Sequence, residues 1–303
     1  MSLYKLITPK EFSKLIKNTT NSRVIPVDAT WYLPIFKKDG RSEFRNVERI
    51  PNAVYFHLGE VSDNEPKASR MLPTLDVFNG AMSKLGIKSD DTLVVYDRIN
   101  NFSASRVAWV LTTLGHSKVY LMTGFNQYVK EGYTVDHDKV LSDSPYPATK
   151  YESTNSFKGE QVISFEALSE LVSSGKIKDY NLFDARSEDR FLGEEDAGAT
   201  NPPTSGHVLG SQPLPYMEVL DDGTFPSDPK KMLEKVEQSL KEHGTHFDRN
   251  RPTIVMCNSG VTACIIKTAI ELASLGSAKL YDGSFSEWAL RADPKYIARG
   301  KDW

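Results

Sequence analysis

Thr253-Ile254-Val255-Met256-Cys257-Asn258-Ser259-Gly260-Val261-Thr262-Ala263 passes from a short apolar run, through a polar turn, into a stretch that stays largely apolar to Leu275. The first four residues read as a strand. Ala263–Leu275 is apolar almost all round, which predicts a buried helix. Strand, turn and buried helix form the unit of an α/β fold with a mostly parallel sheet. Such sheets bind ligands beyond the carboxyl ends of their strands, where Cys257 stands. Free N–H groups and the helix dipole favour a thiolate or a bound anion there. Gly260 lets the backbone curl so that consecutive N–H groups point inward. Most free cysteines simply pack, and Cys264, inside the helix, is read that way.

Working outward, the same landmarks occur twice. Val24–Ala29 (VIPVDA) matches Asn181–Ala185 (NLFDA), and Ile50–Ala53 (IPNA) matches Val208–Ser211 (VLGS). Thr92–Asp97 (TLVVYD) matches Thr253–Cys257 (TIVMC), and Leu114, Gly115 and Gly124 match Leu275, Gly276 and Gly283. The offset stays between 156 residues (Asp28 to Asp184) and 161 (Thr92 to Thr253), which marks a repeat. Residues 140–157, rich in Ser, Thr and Pro with no apolar period, read as an exposed linker between domains 1–139 and 158–303. In the first copy Asp97 takes the place of Cys257. A thiol that merely packed would not be exchanged for a carboxylate, so the second domain is expected to be the catalytic one. Pro229–His243 is a further helix, capped by Asp228, with Leu233, Val236 and Leu240 on one face.

The whole chain has 303 residues, 39% hydrophobic and 25% charged, the balance of a globular protein. No apolar run is long enough to span a membrane. A net charge of -3 lacks the basic excess of a dedicated nucleic-acid binder. Two cysteines make no disulfide scaffold and suggest a reducing, cytoplasmic setting. Met1–Lys17 has no apolar core of a secretory signal. Lys5, Lys10, Lys14 and Lys17 could share a helix face, but the stretch has no Arg and includes Glu11, so a mitochondrial presequence is the weaker reading.

Cys257–Thr262 (CNSGVT), Asp184-Ala185-Arg186, Arg190-Phe191, Gly206-His207 and Tyr281–Trp288 (YDGSFSEW) together resemble the two-domain rhodanese family. The nearest branch is that of the 3-mercaptopyruvate/thiosulfate sulfurtransferases, and the chain looks most like its fungal members. The resemblance implies two tandem rhodanese-like domains, each a mostly parallel sheet flanked by helices. It implies a Cys257 persulfide that passes sulfur to a thiol, cyanide or a protein acceptor, including acceptors that feed tRNA thiolation. Asn258, Ser259, Gly260, Val261 and Thr262 would hold the anionic persulfide. Arg190 would bind the donor's carboxylate or sulfonate, the alternative being a surface ion pair with Glu194, Glu195 or Asp196. Asp184 and Arg186 would brace the site from behind, while Phe285 and Trp288 pack around it. No cofactor or metal is implied, and mitochondria remain a second location.

This sequence also departs from the family. The loop has Asn258 and Ser259 where thiosulfate enzymes carry basic residues, which tilts the donor toward 3-mercaptopyruvate. Yet 193–206 has no second Arg. Arg49 stands where the mercaptopyruvate branch is expected to have an inter-domain His, and is read either as the missing cationic contact or as a change in proton handling. Lys37, Lys38, Arg41, Arg45 and Arg49 form a basic cluster read first as a solvated face. A cysteine phosphatase would need Arg six residues after Cys257, where Ala263 stands. A non-catalytic adaptor is the other rival. The histidines lack zinc-ligand spacing, and His207 is read as structural.

Overall fold

The computed structural model describes residues 4–20, 22–63, 70–153, 156–195 and 202–301. The first half is a parallel sheet of β1 (Lys5–Ile7), β2 (Val24–Asp28), β3 (Val54–Tyr55), β4 (Thr92–Tyr96) and β5 (Val119–Met122), in the order β1-β5-β4-β2-β3. The second half repeats it with β6 (Val162–Ile163), β7 (Asn181–Asp184), β9 (Gln212–Pro213), β10 (Thr253–Met256) and β11 (Ala278–Tyr281), in the order β6-β11-β10-β7-β9. A short antiparallel pair, β8 (His207–Val208) with β12 (Ile297–Ala298), is added to the second half, while the first has isolated antiparallel bridges, Arg49 with Asp136 among them. The repeat is thus carried down to register: Asp28 lies beside Tyr96 as Asp184 lies beside Met256.

Each central strand, β4 and β10, is fully buried and is followed by a buried helix, Ala104–Thr113 and Ala263–Leu272. These two helices pack on each other between the domains. Hence they are buried on nearly every side: one side meets its own sheet and the other meets its counterpart. A single apolar cluster runs through both halves, from Ile25 and Trp109 to Ile265 and Leu280. Other helices are ordinary surface ones. Pro229–Glu242 is capped by Asp228, whose side chain accepts from the Lys230 N–H, and buries Met232, Val236 and Leu240.

Two expectations change. Residues 140–153 form no regular element, and Leu141 and Lys150 among them are exposed as a linker's would be, yet this strap is anchored to the first domain. Tyr151 is 3% exposed, edge-on to Phe78, and Ser153 Oγ donates to the Leu114 carbonyl at 2.6 Å. The aromatic anchors supply burial that the Ser/Thr/Pro composition hides. Of the four N-terminal lysines, Lys10, Lys14 and Lys17 share a helix, while Lys5 lies in β1 and the helix begins at Pro9 behind a Thr8–Glu11 capping box.

Candidate active site

Cys257 directly follows β10 and is 2% exposed. Its N–H donates to Ser284 Oγ at 3.1 Å, as does the N–H of Gly260, also at 3.1 Å. That hydroxyl in turn donates to the Tyr281 carbonyl at 2.9 Å. The N–H groups of Phe285 and Ser286 donate back to the carbonyls of Cys257 and Asn258. The loop is therefore stapled to the start of the helix Ser284–Arg291. Gly260 sits at φ +76°, where a Cβ would come within 2.7 Å of the Asp282 carbonyl oxygen. Among the described residues, the N–H groups of Asn258, Ser259, Val261 and Thr262 meet no acceptor.

The first domain shows what such a turn holds. Asp97, directly after β4, is buried, and its carboxylate accepts from the N–H groups of Ile99, Asn101, Ser103 and Ala104 at 2.7–2.9 Å. Burial pushes this carboxyl up, and the backbone donors pull it back down. Four N–H groups thus enclose one built-in anion. In the second domain the residue at the same place is a thiol.

A cleft of about 290 Å³ opens onto Cys257. Arg186, Arg190 and Tyr216 line it from the second domain, and Trp31, Arg70 and Phe102 from the first. Arg190 lines the cleft and makes one of the surface ion pairs weighed for it. Its Nη2 donates to Asn258 Oδ1 at 3.2 Å, while its Nε is 2.8 Å from Glu195. Asp196, the third acid considered for it, lies outside the described residues. Arg186 backs the cleft: it donates to buried Asp184 at 2.6 Å and to the Gly206 carbonyl at 2.6 Å, with Phe285 4.0 Å from its guanidinium. Cys264 is fully buried, its thiol donates to the Gly260 carbonyl at 3.4 Å, and burial pushes it up to about 12. His207 Nδ1 donates to the Phe191 carbonyl and its ring stacks on Phe191 at 4.0 Å, and Trp288 is buried.

Arg49 is not brought to this cleft. It donates to the Asp138 carbonyl at 2.7 Å, faces Asp136 and lies over Phe44, all within the first half of the chain. Its neighbours Arg41 and Arg45 pair with Glu60 and Asp143. From the first domain it is Arg70 that meets a loop side chain, with Nε donating to Ser259 Oγ at 3.2 Å. Behind it Arg106, wholly buried, donates to Asp282 Oδ1 at 2.6 Å and to the Arg70 carbonyl at 2.6 Å. Sequence reasoning missed Arg70, Arg106, Asp282 and Ser284 as site-forming residues. Arg106 did leave a signal, a charge at the head of the apolar run Val107–Leu111, and a buried arginine demands a partner. Arg70 left none.

The family model for the rhodanese-like domain matches residues 8–131 and again 164–291. The chain is 45% identical over 305 residues to the thiosulfate sulfurtransferase TUM1 of Saccharomyces cerevisiae, covering 100% of both chains. It is 32% identical to a probable 3-mercaptopyruvate sulfurtransferase of Schizosaccharomyces pombe, covering 92% of this chain and 91% of that one. The crystal structure of the Saccharomyces cerevisiae Tum1 protein superposes with a TM-score of 0.95 over 99% of both chains, at 45% identity. A doubled sheet, a thiol at the end of one central strand and full-length likeness to such relatives lead to one assignment: the chain is an enzyme of the two-domain rhodanese family, among the thiosulfate/3-mercaptopyruvate sulfurtransferases.

Proposed function

We propose that this sulfurtransferase takes sulfur from 3-mercaptopyruvate or thiosulfate onto Cys257 as a persulfide, then passes it to a thiol, cyanide or a protein acceptor. The observation that carries this is the difference between the two copies of one turn. The first encloses the Asp97 carboxylate with four N–H groups, and the second presents the N–H groups of Asn258, Ser259, Val261 and Thr262 beside a thiol. A turn of this shape stabilises negative charge, which the thiolate brings and the persulfide keeps. Arg190, on the wall of the same cleft, suits a carboxylate or sulfonate. Attack of the thiolate on the donor's sulfur, with sulfite or pyruvate leaving, is thiol–disulfide-like exchange. Supply of sulfur to tRNA thiolation, and action in the cytoplasm with mitochondria as a second location, belong to the same proposal and rest on the resemblance to fungal members.

The test is to incubate the reduced protein with each donor and weigh it intact. One added sulfur atom is expected on the wild type, absent from Cys257→Ser and released by dithiothreitol. A folded protein that gains nothing from either donor would overturn sulfur transfer and leave the adaptor reading. Loss of thiolated tRNA in cells whose only copy is Cys257→Ser is the matching expectation for the acceptor.

A further inference from the structure

The loop Cys257–Thr262 carries no cationic side chain. On the second-domain side Arg186 is held by Asp184 and the Gly206 carbonyl, and Arg190 is shared with Glu195. The facing wall presents Arg70, whose Nε donates to Ser259 Oγ at 3.2 Å, two residues from Cys257. Its guanidinium carbon lies 5.2 Å from the Trp31 ring centre, a cation–π contact. Arg70 adopts φ +64°, a left-handed conformation that a residue with a side chain enters at a cost. The surroundings enforce it. The Arg70 carbonyl accepts from Arg106 Nη2 at 2.6 Å, and the Leu72 N–H donates to Asp282 Oδ2 at 2.7 Å. Arg106 and Asp282 are themselves paired across the domain interface. A strained backbone held by a buried inter-domain ion pair aims this side chain at the loop.

We infer that Arg70 is a specificity-determining residue of the donor site: across the cleft from Arg190, it offsets the second of the two negative charges that a dianion such as thiosulfate spreads over its sulfur and oxygen atoms. It supplies from the first domain the cation that the loop lacks. This rests on the proposal that sulfur donors react at Cys257. With thiosulfate, the thiolate attacks the outer sulfur, a Cys257 S–S bond forms, and the donor's S–S bond breaks. Its electron pair leaves on sulfite, so the reactants' total charge of one thiolate and one dianion is kept and no proton moves. With 3-mercaptopyruvate, the thiolate attacks the thiol sulfur, the C–S bond breaks and its electron pair forms the pyruvate enolate. The thiol proton ends on that carbon, giving pyruvate and an anionic persulfide. This donor brings one carboxylate, which one arginine can hold, whereas the dianion calls for two.

The experiment compares wild type, Arg70→Gln and Arg70→Lys with both donors, cyanide being the acceptor, and weighs the Cys257 persulfide in parallel. In Arg70→Gln, kcat/KM for thiosulfate should fall about thirtyfold and that for 3-mercaptopyruvate about threefold or less, the scale of one lost charge-assisted hydrogen bond. Arg70→Lys should recover part of the thiosulfate loss. Equal losses with both donors would mean that Arg70 only props the loop and would overturn the inference, as would no loss at all. If Arg70→Gln fails to fold, the wild type decides. Its KM for thiosulfate should rise more steeply with ionic strength than its KM for 3-mercaptopyruvate, and equal slopes would overturn the inference. Wild type that loads from neither donor would instead sink the sulfur-transfer proposal itself.

Discussion

Ser284 holds two backbone N–H groups of the reactive loop with a single hydroxyl, and it does so from φ +52°. Without that oxygen, the N–H groups of Cys257 and Gly260 lose their acceptor in a buried place. A buried donor left unmade costs about 1–3 kcal/mol, so Ser284→Ala should lower unfolding stability by about 2–4 kcal/mol. Persulfide loading should fall as well, because the loop that aims the thiol is no longer stapled. Ser284→Gly relieves the positive φ but also lacks the hydroxyl, so it should regain some stability and not the loading. Denaturant midpoints and intact mass measure the two effects. Full loading in both variants would show that the loop needs no such staple. Residues whose role comes from their place along the chain were legible here. Cys257 at a strand end and Arg186 beside Asp184 needed only local spacing. Arg49 was misread because closeness along the chain to the Ile50-Pro51 turn says nothing about which domain face it meets. Arg70, which meets the loop from the first domain, follows a polar stretch with no periodicity to read.

At the scale of elements, the strap 140–153 is fastened to the first domain by a histidine. The Asp91 carbonyl can only accept, so His116 Nε2 donates to it at 3.0 Å. Neutral His116 therefore accepts the Tyr151 hydroxyl at Nδ1, at 2.8 Å. Burial pushes His116 below its ordinary 6.5. The folded value lies under the unfolded one, so the stability His116 contributes is present above pH 6.5 and is lost as the pH falls through the folded value. Protonation also turns Nδ1 into a donor facing the Tyr151 hydroxyl. His116→Gln, which keeps a donor and an acceptor, should flatten stability against pH below 6.5 by up to about 1.4 kcal/mol per pH unit. Chemical denaturation at a series of pH values measures this, and parallel curves for the two proteins would refute it. The strap also shows which elements a sequence hides. The strands β2, β4, β7 and β10 announce themselves by apolar runs at a constant offset. A segment held by Tyr151 and a few side-chain bonds to carbonyls has no period, and its packing is set entirely by what lies opposite.

At the scale of the whole molecule, the two domains share their core instead of merely touching. The apolar cluster is continuous through both, and the helices Ala104–Thr113 and Ala263–Leu272 meet at its centre. Two buried side-chain pairs bridge the boundary, Tyr4 with Thr268 at 2.6 Å and Arg106 with Asp282 at 2.6 Å. Arg106 is the more consequential, since it also donates to the carbonyls of Arg70 and Gly260, one on each side of the cleft. Wild type is therefore expected to unfold in one calorimetric transition. Arg106→Met strands the Asp282 carboxylate in an apolar interior with only the Leu72 N–H remaining, at a cost of about 3–5 kcal/mol. Adding Asp282→Asn removes the stranded charge while keeping an acceptor for Leu72. The double variant should then be more stable than Arg106→Met alone, although Arg70 and Gly260 stay unanchored and sulfur loading stays low. That combination, stability restored without activity, separates the clamp's part in holding the domains from its part in shaping the site. Two independent transitions in the wild type, or a double variant that merely adds its single losses, would mean that the domains are held by apolar contact alone.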